Sequence, residues 1–567
     1  MSEKNKKKIS IGVEDFKEII DRNGYFVDKT LMIRDILESN SKAILLTRPR
    51  RFGKTLNQFM IRRFFEDERT ERGREIDNRY LFHDLAISCC DEDILRHQQQ
   101  YPVIFISLKS GKQSNYRLAY TELKKRISDE FSRHKYVLQS EILSEKELSQ
   151  YKAIMNLTDD ENLYLDSIGF LSQCLAKYHG RNTFILIDEY DVPLENAYFQ
   201  GFYDEMLSFV RSLFESALKT NPYLEKGIIT GCLRISRESI FTGLNNLDVD
   251  TVLHTRYGSC FGFTEDEVKE ILDYYNISSC FEQVKTWYDG YRFGSVEIYN
   301  PWSILKYTND HVDKVAELPL PYWSNTSSNS IIRELVEGAD DETKKDLESL
   351  MDGGVIEKPI HEDITYGDIR QSKDSLWNFL FFTGYLKAVT YKIEEGQIYL
   401  TMTVPNMEVK TIYRQSILSW FDRKMENTDR SPLIKALEEG DCEAAEDFIS
   451  EQLMDTISYF DHAESYYHGF MAGLLKGSGK YRVLSNRESG IGRPDIVLKT
   501  PNVRKGRVII LEFKIAASFD LMEGKCQEAA EQIKNQRYVE PFISEGYNNI
   551  DRYAICFYRK DCMVSKV

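Results

Sequence analysis

The chain has 567 residues, of which 42% are hydrophobic, 12% aromatic and 29% charged. Its 13 prolines and 31 glycines are too few for a collagenous or low-complexity chain, and its aromatic content is too high for a disordered one. At about 150 residues per domain, the length favours three or four globular domains. The longest apolar runs are only strand-sized, so we do not expect a membrane-spanning protein.

The first residues are basic but lead into polar sequence without the apolar core of a secretory signal, so we expect a cytoplasmic protein. The ten cysteines show neither C-x-x-C nor paired Cys/His spacing, which argues against a zinc site or a disulfide framework. With 74 basic and 90 acidic residues the net charge is −16, which argues against a protein that coats nucleic acid but allows a local basic patch.

Four short apolar runs mark the first region, which we assign to residues 1–265. Long helix-like stretches separate these runs, which are Ala43–Thr47, Pro102–Leu108, Phe184–Ile187 and Gly227–Thr230. Each run is too short for a helix, so the alternation predicts an α/β domain with a parallel sheet and helices on both faces.

Residues 266–440 form a second, mostly helical region rich in Tyr and Trp. Its later part is predicted to form a helix, two hairpin strands and a second helix, at Leu376–Thr383, Tyr385–Ile393, Ile398–Val404 and Val409–Phe421. This order is typical of a winged-helix module. A small α+β packing module without a nucleic-acid role is the alternative, because the hairpin turn carries Glu394 and Glu395.

The loop after the first apolar run reads Arg48-Pro49-Arg50-Arg51-Phe52-Gly53-Lys54-Thr55, and the helical pattern Leu56–Phe65 follows it. A strand, a loop ending in Gly-Lys-Thr and a helix are the context of a phosphate-binding loop. Lys54 would reach the β- and γ-phosphates, and Thr55 would bind Mg²⁺. The consensus has a glycine at the position of Arg48, so a basic strand–helix turn is the alternative.

A second motif supports nucleotide binding. Four apolar residues, Phe184–Ile187, precede Asp188 and Glu189, which places Asp188 at the carboxyl end of a buried strand. A carboxylate there is costly unless it meets a cation. We therefore predict that Asp188 binds Mg²⁺, directly or through water, and that Glu189 is the base that activates the attacking water.

These motifs, together with Tyr25–Lys29 and with Gly231–Asn246, resemble the AAA-ATPase-like domain of bacterial proteins that also carry a C-terminal PD-(D/E)XK nuclease domain. In that family an arginine usually replaces the first glycine of the loop. The resemblance implies ATP as the nucleotide, a sensor role for Thr230 and a place near the base for Tyr25–Lys29. Arg234 and Arg237 are candidate arginine sensors, with surface ion pairs as the alternative.

Residues 441–567 form a third region, with helices predicted at Asp441–His468 and Glu523–Tyr538 and strands at Tyr481–Leu484, Pro494–Leu498 and Val508–Lys514. If the last two strands form a hairpin, Asp495 can lie near Glu512. Glu512 and Lys514 are two residues apart on one strand and should share a face. Two carboxylates that bind Mg²⁺ beside a lysine that holds a water form a phosphodiester-hydrolysis site.

This spacing resembles the PD-(D/E)XK pattern of an α/β restriction-endonuclease-like domain. The resemblance adds Glu464 as a further acid on the metal side and Gln532 as a polar partner on a helix. His468, one turn after Glu464, is a candidate hydrogen-bonding partner, with a packing role as the alternative.

Local charge agrees with a nucleic-acid site, since residues 476–514 carry ten Lys or Arg against three acidic residues, a balance of +7. A solvated basic face on an inert domain is the alternative.

The sequence thus predicts an ATP- and Mg²⁺-dependent nuclease, with DNA favoured over RNA as its partner. The alternative is a nucleotide-controlled switch whose C-terminal domain binds without cutting. A transport or chaperone motor is disfavoured, because no pore-loop pattern is visible, and homo-oligomers are compatible with the sequence.

Overall fold

The computed structural model describes residues 6–235, 247–313, 318–325, 332, 340–362, 373–427, 429–454, 464–476, 480–485, 494–504 and 506–567. The chain forms two compact units. The first comprises Met1–Ser328 and Glu357–Lys410, and the second comprises Asn329–Ile356 and Thr411–Val567. The boundary near residue 410 lies inside the second region of the sequence, and the three-domain division stays a prediction.

A five-stranded parallel sheet forms the core of the first unit. Its strands are β1 (Ala43–Thr47), β2 (Val103–Ser107), β3 (Thr183–Asp188), β4 (Leu224–Gly231) and β5 (Leu247–Asp250), in the order β2-β3-β4-β1-β5. Every residue of β1 and β3 is buried, so both faces of the sheet are covered. The predicted α/β class and parallel sheet are confirmed, and β5 is a strand that its polar sequence did not predict.

Helices follow or precede each of these strands. They are α1 (Phe16–Asp21), α2 (Leu31–Glu38), α3 (Lys54–Phe65), α4 (Glu92–Leu95), α5 (Tyr116–Arg133), α6 (Glu145–Met155), α7 (Asn162–Leu165), α8 (Ser167–His179), α9 (Val192–Gln200) and α10 (Tyr203–Phe214).

The remainder of the first unit is mostly helical, with two small sheets. Its helices are α11 (Glu265–Tyr274), α12 (Phe281–Tyr288) and α13 (Pro301–Val312), and strands β6 (Tyr291–Phe293) and β7 (Val296–Ile298) pair with each other. Strands β8 (Ile356–Ile360), β9 (Lys387–Glu394) and β10 (Gln397–Thr403) form a sheet in the order β8-β10-β9.

The predicted helix–hairpin–helix order is present around β9 and β10, between the helices Lys373–Phe382 and Met407–Asn427. Glu395 and Gly396 form the turn with φ of +50° and +82°, the left-handed backbone that a two-residue hairpin loop requires. Phe379, Phe382 and Tyr385 are buried, as expected of a docked module. The third strand, β8, was not predicted.

The second unit is built on a mixed five-stranded sheet. Its strands are β11 (Arg482–Ser485), β12 (Ile496–Lys499), β13 (Arg507–Ile515), β14 (Asn549–Tyr558) and β15 (Asp561–Lys566), hydrogen-bonded in that order. All pairs are antiparallel except β13–β14. Its helices are Asp341–Met351, Ser431–Glu439, Cys442–Met454, Glu464–Leu475, Met522–Asn535 and Glu540–Ser544.

The two faces of this sheet carry separate hydrophobic cores. One core contains Ile509, Leu511 and Phe513 of β13, and the opposite core contains Val508 and Ile510 together with the helix Met522–Asn535. The alternation of odd and even residues fixes the face on which each polar side chain of β13 lies.

Two expectations about the whole chain can be compared with the structure. None of the described helices combines the length and apolar character that a membrane crossing requires. All ten cysteines fall within the described residues and are free thiols, six of them buried.

Candidate functional site

The loop between β1 and α3 is the first candidate site. Its backbone bends through Arg51 and Gly53, whose φ angles are +70° and +84°, before α3 begins at Lys54. The Lys54 ammonium is buried and donates to the carbonyl oxygens of Arg48 and Pro49, each at 2.9 Å. The amine therefore lies inside the curve of the loop.

Arg48, which replaces the first consensus glycine, has a fully buried side chain. Its guanidinium donates to the Asp250 carboxylate at 2.5 Å and to the Asp250 carbonyl oxygen at 3.0 Å. It also lies over the rings of Phe261 and Phe293, about 5 Å from each centroid. The side chain thus ties β1 to β5, and only the carbonyl group of Arg48 faces Lys54.

The other loop side chains also contact their surroundings. Arg50 forms an ion pair with Glu195 of α9, and the Arg51 guanidinium lies 4.4 Å from the ring centroid of Trp302. Pro49 and Phe52 are buried, and the Phe52 ring packs against Tyr291 and Phe293 at 4.9 and 5.2 Å. The backbone of the loop is what remains for phosphate contacts.

Asp188 lies at the end of β3 beside this loop. Its carboxylate accepts hydrogen bonds from the Thr55 hydroxyl at 2.8 Å and from the Thr230 hydroxyl, on β4, at 2.6 Å. Burial, and then the charge of Glu189, raise the pKa of Asp188 to about 6. Glu189 follows with a φ of +52°, a left-handed turn at the strand end.

The oxygen donors gathered here fit a Mg·nucleotide. A carboxylate and two hydroxyl groups are hard ligands of the kind that Mg²⁺ prefers, and a cation would offset the cost of burying Asp188. When bound, Mg²⁺ would neutralise charge on the phosphates. Lys54 would then hold the phosphates, and the half-buried Glu189 directly follows Asp188.

Tyr190 and Asp191, the last residues of the motif LIDEYD, also lie beside this site, and the sequence did not predict a role for them. Both are buried, and they hydrogen-bond to the segment after β4. The available sequence signal was the run Asp188-Glu189-Tyr190-Asp191, in which an aromatic residue and a third acid follow the strand end.

The remaining residues predicted for the nucleotide site are Tyr25–Lys29, Arg234 and Arg237. The Lys29 ammonium bonds both carboxylate oxygens of Glu267 at 2.6 Å, and the Tyr25 ring contacts Tyr274. Arg234 lies 3.7 Å from the Glu362 carboxylate. Arg237 lies outside the described residues.

The second candidate site lies on the sheet of the second unit. Strands β12 and β13 form the predicted hairpin, with Ile496 opposite Leu511, so Asp495 and Glu512 are next in register. The Asp495 carboxylate accepts the N–H of Phe513 at 2.7 Å.

Strand parity brings the three predicted catalytic residues to one face. Even-numbered residues of β13 and odd-numbered residues of β12 pack towards the helix Met522–Asn535. Glu512 and Lys514 share that face, and so does Asp495. Phe513, between them, points into the opposite core.

Gln532 and Tyr538 complete this face. The Gln532 amide donates to the Glu512 carboxylate and, at 3.3 Å, to the Tyr538 hydroxyl. Burial raises the pKa of Tyr538, and the charges of Glu512 and Asp495 raise it further, so both carboxylates lie near the phenol. Tyr538 was not singled out from the sequence.

Two predicted neighbours come from the helix Glu464–Leu475. His468 hydrogen-bonds through Nε2 with the carbonyl oxygen of Asp495 at 2.9 Å, so it contacts the backbone of the site. The side chain of Glu464 lies outside the described residues. Within the parts of the chain that are described, no group of three or more His, Cys, Asp or Glu residues is arranged to hold a metal ion.

The oxygen donors of Asp495 and Glu512 are nonetheless the type that Mg²⁺ prefers, so the residues fit this cation. The basic surroundings are partly neutralised. Lys480, Lys499 and Arg507 form ion pairs with Glu438, Glu545 and Asp551 at 2.6, 2.8 and 3.3 Å. Arg487, Arg493 and Lys505 lie outside the described residues.

Comparison with known proteins gives two family matches. Residues 10–241 match the family model described as "Predicted AAA-ATPase", and residues 462–567 match the PD-(D/E)XK nuclease superfamily. Two separate regions of the chain are thus each similar to a known family. It is also similar to an "Uncharacterized protein in vnfD 5'region" of Azotobacter chroococcum mcd 1, at 23% identity over 417 residues, which cover 73% of this chain and 70% of that protein.

The two matched ranges contain the main residues of the two candidate sites. The AAA-ATPase-like region contains Lys54, Asp188 and Thr230, and the nuclease superfamily region contains Asp495 and Glu512. Strand β5 lies beyond the AAA-ATPase-like match, although its Asp250 holds Arg48 in place.

Proposed function

We propose that this protein binds and hydrolyses ATP with Mg²⁺ in its first unit and cuts nucleic acid with Mg²⁺ in its second. In the ATPase, Thr55 and Asp188 are the metal-side residues, Thr230 is the sensor and Glu189 is the base. In the nuclease, Asp495, Glu512 and Glu464 are the metal-side acids, Lys514 holds the attacking water and Gln532 orients Glu512.

One observation carries this proposal. Asp495, Glu512 and Lys514 share one sheet face inside a region matched to a nuclease superfamily, and Gln532 bonds Glu512 there. A purely structural hairpin would gain little from this arrangement, because the burial of the Glu512 carboxylate, beside the half-buried Asp495 and Lys514, is costly without a ligand.

DNA is the proposed substrate, and a cytoplasmic setting and a winged-helix role for the β9–β10 module belong to the same proposal. A second candidate is a nucleotide-controlled switch that binds nucleic acid without cutting it. The same switch could bind a partner other than nucleic acid, and the ion pairs of Lys480, Lys499 and Arg507 favour that form, because they reduce the positive charge available to phosphates.

The test incubates the purified chain with labelled single- and double-stranded DNA and RNA, with and without ATP, Mg²⁺ and Mn²⁺. Asp495→Ala should remove cleavage and weaken metal binding, whereas Lys514→Ala should remove cleavage and retain most metal affinity. Lys525→Ala, which removes a half-exposed lysine paired with Glu528, is the matched control. Metal-dependent binding without cleavage would support the switch, and cleavage by both site variants would reject the assignment.

The ATPase half has its own test. Lys54→Ala should abolish ATP binding in calorimetry, since it removes the cation inside the loop. Glu189→Gln should retain binding and lose turnover, because it removes the base and leaves Thr55 and Asp188 in place. Wild-type turnover by Glu189→Gln would exclude Glu189 as the base.

A further inference from the structure

The chain leaving β4 connects the separate parts of the candidate nucleotide site. Three consecutive residues each contact a different part of it: the Thr230 hydroxyl donates to Asp188 at 2.6 Å, the Gly231 carbonyl oxygen accepts the Arg48 N–H at 3.0 Å, and the Cys232 Sγ lies 3.6 Å from the Lys54 Nζ. The position of this segment therefore decides where three site groups lie relative to one another.

The hydrogen bonds of the sheet cover only the first part of this segment. The ladder between β1 and β4 stops at the pair Thr47 and Gly231, so the described residues that follow, 232–235, have no strand partner on β1. The buried backbone N–H groups of this segment therefore need acceptors other than β1.

Asp191 and Tyr190 supply those contacts. One carboxylate oxygen of Asp191 accepts the N–H groups of Cys232 at 2.7 Å and Leu233 at 3.0 Å. The Tyr190 hydroxyl donates to the Leu233 carbonyl oxygen at 2.6 Å and accepts the N–H of Ile235 at 3.0 Å. Four backbone groups between Cys232 and Ile235 are thus bonded to two adjacent side chains.

The packing around these bonds leaves little freedom. A Cβ atom at Gly231 would lie 2.6 Å from the Tyr190 ring and 2.9 Å from an Asp191 carboxylate oxygen, distances that atoms in contact do not adopt. Glycine is therefore required at position 231 for the two side chains to approach. Tyr190 also donates its own N–H to the Thr230 carbonyl oxygen at 3.1 Å, which joins the turn after β3 to the end of β4.

We propose that Asp191 and Tyr190 are positioning residues for the ATPase, fixing residues 230–235 so that Thr230 meets Asp188 and Cys232 meets Lys54. This inference rests on the proposed ATP hydrolysis and adds two residues to it. Both side chains bond the backbone that follows β4, and they act on the site through the backbone that they hold. A displacement of about 1 Å at the catalytic groups is enough to lower turnover strongly.

The experiment compares steady-state ATP hydrolysis by the full-length wild type with the variants Asp191→Ala, Asp191→Asn and Tyr190→Phe. A nucleotide titration counts functional sites, so that kcat is expressed per folded molecule. Asp191→Ala should lower kcat about tenfold or more with KM within about threefold, because the substrate contacts stay and their alignment is lost. Asp191→Asn keeps an acceptor oxygen and should recover most of that loss.

Asn378→Ala is the matched control. Asn378 is a buried side chain that bonds the backbone of Pro359 in β8 and of His361 directly after it, so its loss should cost stability without lowering kcat per site. If Asp191→Ala fails to fold, Tyr190→Phe tests the inference instead. This variant keeps the packed ring, loses the two hydroxyl hydrogen bonds and should lower kcat several-fold.

The outcomes separate the two proposals. A wild type without ATP hydrolysis would overturn the proposed ATPase and this inference with it. An active wild type alongside Asp191→Ala and Tyr190→Phe variants with wild-type kcat would overturn the inference alone. Loss of kcat in Asn378→Ala equal to that in Asp191→Ala would reduce Asp191 to a stability role.

Discussion

Arg48 occupies the position at which the consensus phosphate loop has glycine, and its side chain explains why the substitution is tolerated. The guanidinium is buried against Asp250, the only carboxylate to which it is bonded among the described residues, and between two aromatic rings. A buried ion pair adds little net stability, but the loss of one partner leaves an uncompensated charge.

We therefore expect Arg48→Gly to restore the consensus and yet destabilise the protein. The free energy of unfolding should fall by about 3–5 kcal/mol, because Asp250 would stay buried without its cation. Urea unfolding measures this change. Arg256→Ala, which removes a half-exposed arginine 3.4 Å from Asp248, is the control and should change stability by less than about 1 kcal/mol. An Arg48→Gly protein as stable as wild type would contradict the structural role.

Glu408 is a second buried ionisable group, and it is far from both candidate sites in sequence. Its carboxylate accepts the Ser303 hydroxyl at 2.8 Å and the N–H of Trp323 at 2.8 Å. Burial raises its pKa to about 7, against the lowering effect of these hydrogen bonds. Because the folded protein binds this proton more tightly than the unfolded chain, stability should fall as the pH rises from 4.5 to about 7.

Glu408→Gln should remove that pH dependence. The variant should match the wild type near pH 4.5 and exceed its stability by up to ~3 kcal/mol at pH 8, since the amide needs no proton to be buried. Denaturant unfolding at a series of pH values tests this. Glu282→Gln, at an exposed position, should follow the wild-type profile, and parallel profiles for Glu408→Gln and wild type would show that Glu408 does not titrate in this range.

Strand β2 is an edge of the parallel sheet, and side chains from α5 and its C-terminal end satisfy its outer backbone groups. Glu130 accepts the N–H of Phe105 at 2.7 Å, and Arg133 donates to the Val103 carbonyl oxygen at 2.6 Å. Arg133 also forms ion pairs with Glu130 and with Glu66, the residue that follows α3. Burial would raise the pKa of Glu66, but Arg133 and Arg62 lower it to about 2.

Arg133→Ala should destabilise the first unit by about 3–5 kcal/mol, because two buried carboxylates would lose their shared cation. The loss should be full above pH 4.5 and shrink as the pH falls towards 2, where Glu66 is protonated. Thermal and urea unfolding measure it. Arg126→Ala on the same helix breaks only an exposed pair with Asp129 and should cost less than about 1 kcal/mol. Equal effects of the two variants would refute the role of the edge network.

The two candidate sites lie in different units, so single substitutions can separate their activities. Lys54 belongs to the first unit and Lys514 to the second. Each unit has its own sheet and hydrophobic cores, which means that a change at one site need not unfold the other.

We expect Lys54→Ala to lose ATP hydrolysis and any ATP stimulation of cleavage while retaining metal-dependent basal cleavage. Lys514→Ala should lose cleavage and keep ATP hydrolysis within about twofold of wild type, because Lys514 belongs to the second unit and the nucleotide-site residues belong to the first. Parallel ATPase and nuclease assays on both variants test the pair. Loss of both activities in either variant would mean that the sites are not separable.

Local sequence was sufficient to predict β1, the loop to Lys54 and β3 with Asp188, and the structure confirms these elements. Each is an uninterrupted buried run followed directly by polar residues, a pattern that a few neighbouring residues determine. The β12–β13 hairpin and the shared face of Glu512 and Lys514 were predictable for the same reason, since strand parity needs no tertiary information.

Only the tertiary structure decided what surrounds these motifs. Arg48 and Asp250 are 202 residues apart in the chain, and β5, which carries Asp250, has a polar sequence that gives no strand signal. The bonds of Asp191 to the exit of β4 and of Arg133 to β2 likewise join distant segments. Such partners depend on which strands become neighbours, and strand order follows from burying the whole sheet rather than from any local pattern.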